Sequence, residues 1–160
     1  MIKGGIKLLS KQLKTAFIQL DIEVNNFEEA IRESMLPLKE DAAISQQYID
    51  EVIKIYHETG PYIVLTRHVA LPHAPGHLGA KKVAIGFTRL KHPVMSGNKD
   101  NDPVKFLFPL SAPDSHSHIA LLSELADLLG DPDFLEEMAV VENSEEFITF
   151  LEEYEGGQNV

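Results

Sequence analysis

Along this chain the spacing of apolar side chains switches repeatedly between the two-residue period of a strand and the three-to-four-residue period of a helix. That exchange confines it to a fold of interleaved strands and helices. Over residues 17–24, Ile18, Leu20, Ile22 and Val24 alternate with other residues and predict a half-buried strand. Asn26 with Glu29 three positions on has the form of a capping box, predicting a helix to about Lys39 with Phe27, Ala30, Ile31 and Met35 turned inward. Ser45 caps a second predicted helix whose stripe is Ile49, Val52, Ile53 and Tyr56, and Gly60-Pro61 ends it.

Apolar runs at 62–66, 69–71, 82–90 and 104–110 predict inner strands, with a turn-rich polar loop at 96–102 between the last two. From Asp114 the period is helical again, with Ile119, Leu122, Leu125, Ala126 and Leu129 as the stripe and Gly130-Asp131-Pro132 as its end. Two shorter helices follow, near 134–139 and 144–154, the second capped by Ser144, and 155–160 reads as a frayed tail. This is an α/β pattern with a sheet covered on both faces, in one domain over 1–160 with its core at about 6–154.

Composition narrows the function. The chain has no cysteine, which excludes a disulfide frame, a thiolate nucleophile and a cysteine zinc site. Its 25 acidic against 14 basic residues argue against nucleic acid as a partner. No apolar run is long enough to cross a bilayer. Met1-Ile2-Lys3-Gly4-Gly5 lacks the pattern of a secretory segment, so the expected location is the cytoplasm.

Chemistry centres on the histidines. His73 follows the apolar run ending at Leu71 and lies between Pro72 and Pro75, which stiffen the loop presenting its imidazole. Loops at strand ends are where α/β folds collect reactive groups. In Asp114-Ser-His-Ser-His118, Asp114 or Ser115 can cap the next helix, leaving His118 beside its first turn, where helix amides suit an anion.

Taken in order, Gly60-Pro-Tyr-Ile-Val-Leu65, Val69-Ala-Leu-Pro-His73, Asn101-Asp-Pro-Val104 and Asp114-Ser-His-Ser-His118-Ile119 resemble the enzyme IIA component of the bacterial sugar phosphotransferase system. The resemblance is to the mannitol–fructose superfamily, closest to its L-ascorbate type, and runs from about Ile6 to Tyr154. It implies a mixed sheet between helices and a phosphotransferase that takes a phosphoryl group from the histidine phosphocarrier protein. The group would pass to a cysteine of a separate enzyme IIB and serve import through the membrane enzyme IIC. By the same resemblance His73 is the phosphorylated nucleophile and His118 the second active-site histidine, with no cofactor or metal required. Where the mannitol branch has an active-site arginine this chain has His57, and Arg67 and Arg89 are the candidate substitutes. His116 lies outside the matched pattern.

A neutral imidazole is a competent nucleophile near pH 7. We expect His73 Nδ1 to donate to a local carbonyl or hydroxyl, which leaves Nε2 to attack. Two other classes remain: a zinc protein drawing on His68, His73, His77, His116 or His118, and a regulatory module whose phosphorylation state is read by a partner.

Overall fold

The first helix, α1 (Leu8–Gln12), leads through a 3-10 turn (Thr15–Phe17) to β1 (Ile18–Ile22), α2 (Phe27–Glu40) and α3 (Gln46–Thr59). Next come β2 (Val64–Thr66), β3 (Val69–Ala70), a 3-10 turn (Gly76–Leu78), β4 (Ala84–Ile85), β5 (Phe87–Val94), β6 (Val104–Leu107) and β7 (Leu110–Ser111). The chain closes with α4 (Ser115–Leu129), α5 (Pro132–Val140) and α6 (Ser144–Gln158). These coordinates are a computed structural model, which describes the backbone over residues 8–158 and the side chains over 9–154.

Five strands form one sheet in the order β1-β5-β6-β3-β2. β1 pairs parallel with β5 and β3 parallel with β6, whereas β5/β6 and β2/β3 are antiparallel. The expected mixed sheet is therefore present. Alternation along the strands divides the core. Ala70 and Leu107 pack with Ala30, Ile31, Met35, Ile49 and Val52 of α2 and α3. Val69 and Phe106 turn the other way, toward Leu121, Leu125, Phe134 and Phe147 of α4–α6. Phe87 and Phe147 stack there with centroids 4.4 Å apart.

The expected caps form with adjustments. Asn26 accepts from Glu29 N, but Glu29 Oε1 reaches back to Asn25 N rather than to the cap itself. Ser45 caps α3 through Tyr48 N, and Gly60, at φ 90°, ends it. The cap of α6 is Asn143, which accepts from Glu146 N, rather than Ser144, and the helix continues to Gln158 where a frayed tail was expected from Glu155.

Two predicted strands are each split. The run 82–90 breaks at Gly86, whose N–H goes to Pro109 O, and the run 104–110 breaks at Pro109 itself. Past this break β4 and β7 pair as a two-stranded sheet in the same antiparallel register as β5 and β6. A Cβ on residue 86 would lie 2.9 Å from Phe17 O, so glycine is what lets this strand pass so close to the 3-10 turn before β1.

The predicted stripe of α4 is also displaced. The core-facing residues are Ser117, Leu121, Leu125 and Leu128, while Ile119 is 67% exposed. Leu122, Ala126 and Leu129 form a second apolar row, one step around the helix and in line with His118.

Candidate functional site

His73 stands just past β3, where the regular ladder stops. Leu71 N still donates to Ile63 O at 2.8 Å, and Leu110 N donates to Pro72 O at 3.0 Å. His73 Nδ1 lies 2.5 Å from Leu71 O. Only a protonated nitrogen satisfies a carbonyl, so in the neutral ring the proton sits on Nδ1 and Nε2 keeps its lone pair. Nε2 has no hydrogen bond among the described residues. Burial pushes the His73 pKa down, the bond to Leu71 O opposes that, and His118 adds to the lowering. The ring is thus neutral at pH 7.

Two tyrosines hold this loop, and neither was assigned a role from the sequence. Tyr62 Oη donates to His73 O at 2.6 Å, and the two rings lie 5.9 Å apart at 67°. Tyr48 Oη accepts from Ala74 N at 3.0 Å and has Ala74 O and Leu110 O each at 3.1 Å, one of which receives its single proton. Burial pushes both phenols up to about 12, so they remain donors through the neutral range. Tyr48 was detectable in principle, because it lies four residues before Val52 on the buried face of α3 and a buried tyrosine needs a hydroxyl partner.

His118 approaches from α4. Its ring centroid is 5.1 Å from that of His73, at 64°, and its Nε2 is buried with no hydrogen-bond partner. Gly76 makes the approach possible: a Cβ there would lie 2.4 Å from Ala112 O and 2.7 Å from Pro113 O, in the segment that enters α4. Asp114 caps α4, accepting from Ser117 N at 2.8 Å and Ser117 Oγ at 3.1 Å. These bonds hold its carboxyl below the ordinary range. The cap carboxylate therefore takes up the helix-end field that sequence reasoning reserved for an anion, and the His118 ring is the group left to meet one.

The remaining candidates lie elsewhere. Arg89 is buried in β5, with Nε 3.0 Å and Nη2 3.2 Å from the Asp21 carboxylate and Nη1 2.7 Å from Val141 O, so it is committed to the fold. Arg67 lies exposed in the turn before β3, at the end of that strand away from His73. His57 Nε2 faces Glu28 Oε1 at 2.5 Å. His68 Nδ1 meets Pro103 O at 2.7 Å, while His77 and His116 are exposed. Among the described residues no three His, Asp or Glu side chains form a group suited to a metal ion. The 96–102 loop is architectural. Asp102 accepts from Ser96 N and Gly97 N, and Asn98 and Asn101 both donate to Val64 O.

Beside the site runs a cavity of about 400 Å³, lined by Leu65, Thr66, Leu71, Leu122, Ala126, Leu129 and Gly130. Leu71 links it to His73, and the second apolar row of α4 links it to His118. Leu78, in the 3-10 turn after His73, packs half-buried against the α2–α3 core. No lysine or arginine follows Lys105, so α4–α6 carry only acidic formal charge. No described helix is long and apolar enough to cross a membrane.

Comparison with known proteins gives a consistent result. The family model described as the phosphoenolpyruvate-dependent sugar phosphotransferase system, EIIA 2, matches residues 11–154. The mannitol-specific cryptic phosphotransferase enzyme IIA component of Escherichia coli is 32% identical over 143 residues, covering 89% of this chain and 97% of the relative. A solution structure of that Escherichia coli enzyme IIA superposes with a TM-score of 0.78 at 31% identity, covering 86% of this chain and 93% of the other. The ascorbate-specific EIIA component of Salmonella typhimurium is 24% identical over 148 residues, covering 92% of this chain and 96% of the relative. The fold is also that of enzyme IIA mannitol in its complex with phosphorylated enzyme IIB mannitol from Escherichia coli, with a TM-score of 0.76 at 21% identity and coverage of 87% and 97%.

Proposed function

Because the chain belongs to the EIIA 2 family of the phosphoenolpyruvate-dependent sugar phosphotransferase system, we propose that His73 is its phosphoryl-accepting residue and His118 the group that steadies the phosphoryl oxygens. The observation that carries this reading is the pairing of one imidazole whose Nε2 is left unbonded with a second whose buried Nε2 lacks a partner, their rings 5.1 Å apart.

The step balances without an external base. The Nε2 lone pair of His73 attacks phosphorus in line, and the P–N bond of the incoming phosphohistidine breaks. Its electron pair returns to the donor's ring nitrogen. Nδ1 keeps its proton on Leu71 O, so the phosphorylated ring carries a positive charge that offsets part of the phosphoryl charge. With Nε2 protonated, His118 donates to a phosphoryl oxygen, and the buried donor gains the bond it lacks in the unphosphorylated protein. Onward transfer reverses the attack, with a thiolate as the new nucleophile.

In this reading the donor is the histidine phosphocarrier protein and the acceptor a cysteine of a separate enzyme IIB, with a membrane enzyme IIC downstream. The acceptor follows the solved mannitol complex named above, and the donor follows from family membership. The transported substrate is a sugar or polyol of the kind the relatives' names give, mannitol or L-ascorbate, and the protein works in the cytoplasm where such carriers meet. The test is radiolabelled phosphoryl transfer from the phosphorylated histidine phosphocarrier protein onto this chain, then onto mannitol-type and ascorbate-type enzyme IIB. Label appearing on the wild type, absent from His73→Ala, and passing to one enzyme IIB is the expected result. Label retained by His73→Ala refutes the assignment. Label accepted but passed to neither enzyme IIB favours a regulator over a transport carrier.

A further inference from the structure

The peptide unit joining His73 to Ala74 is held at both edges by phenol hydroxyls. Tyr62 Oη donates to its oxygen at 2.6 Å, and Tyr48 Oη accepts from its N–H at 3.0 Å. A peptide is planar, so fixing both edges removes its rotation and sets the direction in which the His73 Cα presents the side chain. The bond from His73 Nδ1 to Leu71 O spans only two residues, and such a short ring closes over a narrow range of His73 torsions.

The two tyrosines differ in what else they do. Tyr48 is 1% exposed and belongs to the α2–α3 core, so its ring also builds the fold. Tyr62 is 36% exposed and outside both core clusters. The segment that carries it is nonetheless stiff: Gly60 turns the chain at φ 90°, Tyr62 N donates to Gly60 O at 2.8 Å, and Val64 N donates to Pro61 O at 3.2 Å. A rigid, half-open tyrosine thus directs its hydroxyl to the backbone of the histidine assigned to the chemistry, and its ring meets that imidazole at 67°.

We propose that Tyr62 is a positioning residue for phosphoryl transfer: by holding the His73 carbonyl it keeps the imidazole with Nδ1 on Leu71 O and Nε2 as the reacting nitrogen. The inference rests on the phosphocarrier reading and adds a residue to it. The hydroxyl touches no reacting atom and acts through the backbone. Its proton stays in place through the neutral range, so the restraint does not switch off with pH.

Tyr62→Phe is the informative change, since it keeps the ring and removes only the hydroxyl. In single-turnover transfer from the radiolabelled histidine phosphocarrier protein, the rate constant falls roughly tenfold, as expected for a misplaced nucleophile. The donor concentration giving half the maximal rate moves by less than about twofold, because docking contacts are intact. Nitrogen NMR of the imidazoles supplies a readout that simple stability does not move: the Nδ1–H tautomer of His73, dominant in the wild type, becomes mixed in the variant. A wild-type rate with an unchanged tautomer overturns the inference, and so does a loss carried wholly by the half-saturating concentration. Absence of label on the wild type overturns the phosphocarrier reading and this inference with it, whereas label on the wild type with unaltered Tyr62→Phe kinetics overturns this inference alone.

Discussion

The rings of His73 and His118 lie 5.1 Å apart at 64°, although one comes from a strand end and the other from the first turn of a helix. The arrangement leaves His118 Nε2 buried without a partner, a cost of about 1–3 kcal/mol for a polar group in the unphosphorylated state. A phosphoryl group on His73 supplies the missing acceptor. His118→Ala is therefore expected to accept phosphate but to transfer it more slowly, by about 10–100-fold for loss of one charge-stabilising donor. It should also be no less stable than the wild type before phosphorylation. Transfer kinetics and chemical denaturation check the two halves, and unchanged transfer would remove His118 from the mechanism.

The pH dependence follows from the lowered His73 pKa. Because burial opposes protonation in the folded protein, phosphate acceptance should stay level as pH falls from 8 through the ordinary histidine midpoint of about 6.5 and decline only below it. The same shift affects stability. An unfolded His73 takes a proton at about 6.5 while the folded one does not, so its contribution is neutral above that pH and turns destabilising as pH falls toward the folded value. An NMR titration of His73, together with denaturation of wild type and His73→Ala on either side of that window, checks both.

Tyr48→Phe removes a hydroxyl that serves Ala74 N and one of two carbonyls deep in the fold. Leaving those groups unpaired should cost about 2 kcal/mol, seen as a lower denaturation midpoint. Hydrogen exchange at the Ala74 amide should accelerate in step. A neutral effect would mean that water replaces the phenol.

Arg89 and Asp21 share a two-pronged ion pair but should not respond alike. Arg89 is buried and also satisfies the carbonyls of Met138, Ala139 and Val141, so Arg89→Met is expected to destabilise by about 3 kcal/mol. The Asp21 side chain is 61% exposed and its φ of 57° suits asparagine, so Asp21→Asn should change stability by less than about 1 kcal/mol. Thermal melts of the two variants distinguish a buried anchor from a surface partner.

Local signals carried much of this structure. Asp114, Ser45 and Gly60 act as the caps and stop that their chemistry implies, because capping depends on neighbours within a few residues. The stiff loop between Pro72 and Pro75 was legible from its prolines, and so was the bond of His73 Nδ1 to a local carbonyl. What failed were properties set by distant chain. The strand breaks at Gly86 and Pro109 arise because these two residues face each other across an antiparallel pair and Pro109 has no N–H to return, a pairing that neither run encodes alone. The expected stripe of α4 shares Leu125 with the observed one but is shifted around the helix, because α4 has two adjacent apolar rows and periodicity does not say which one the sheet covers. Arg89 was offered for the active site because a charge in a strand gives no hint of a helix end waiting across the sheet. Tyr62 lay inside a quoted motif, yet its partner is a backbone oxygen, which no side-chain pattern reveals.

The absence of lysine and arginine beyond Lys105 makes the molecule electrically lopsided: α4–α6 hold negative charge alone, and all 14 lysines and arginines lie in the rest of the chain. Such a body has a large dipole moment. In the field of a cation-rich partner it rotates during approach, so collisions that begin with the wrong side forward are corrected before contact. The torque fades once the gap exceeds the Debye length, about 8 Å at physiological ionic strength. Added salt should therefore slow encounter far more than it slows the exchange of phosphate between molecules already docked.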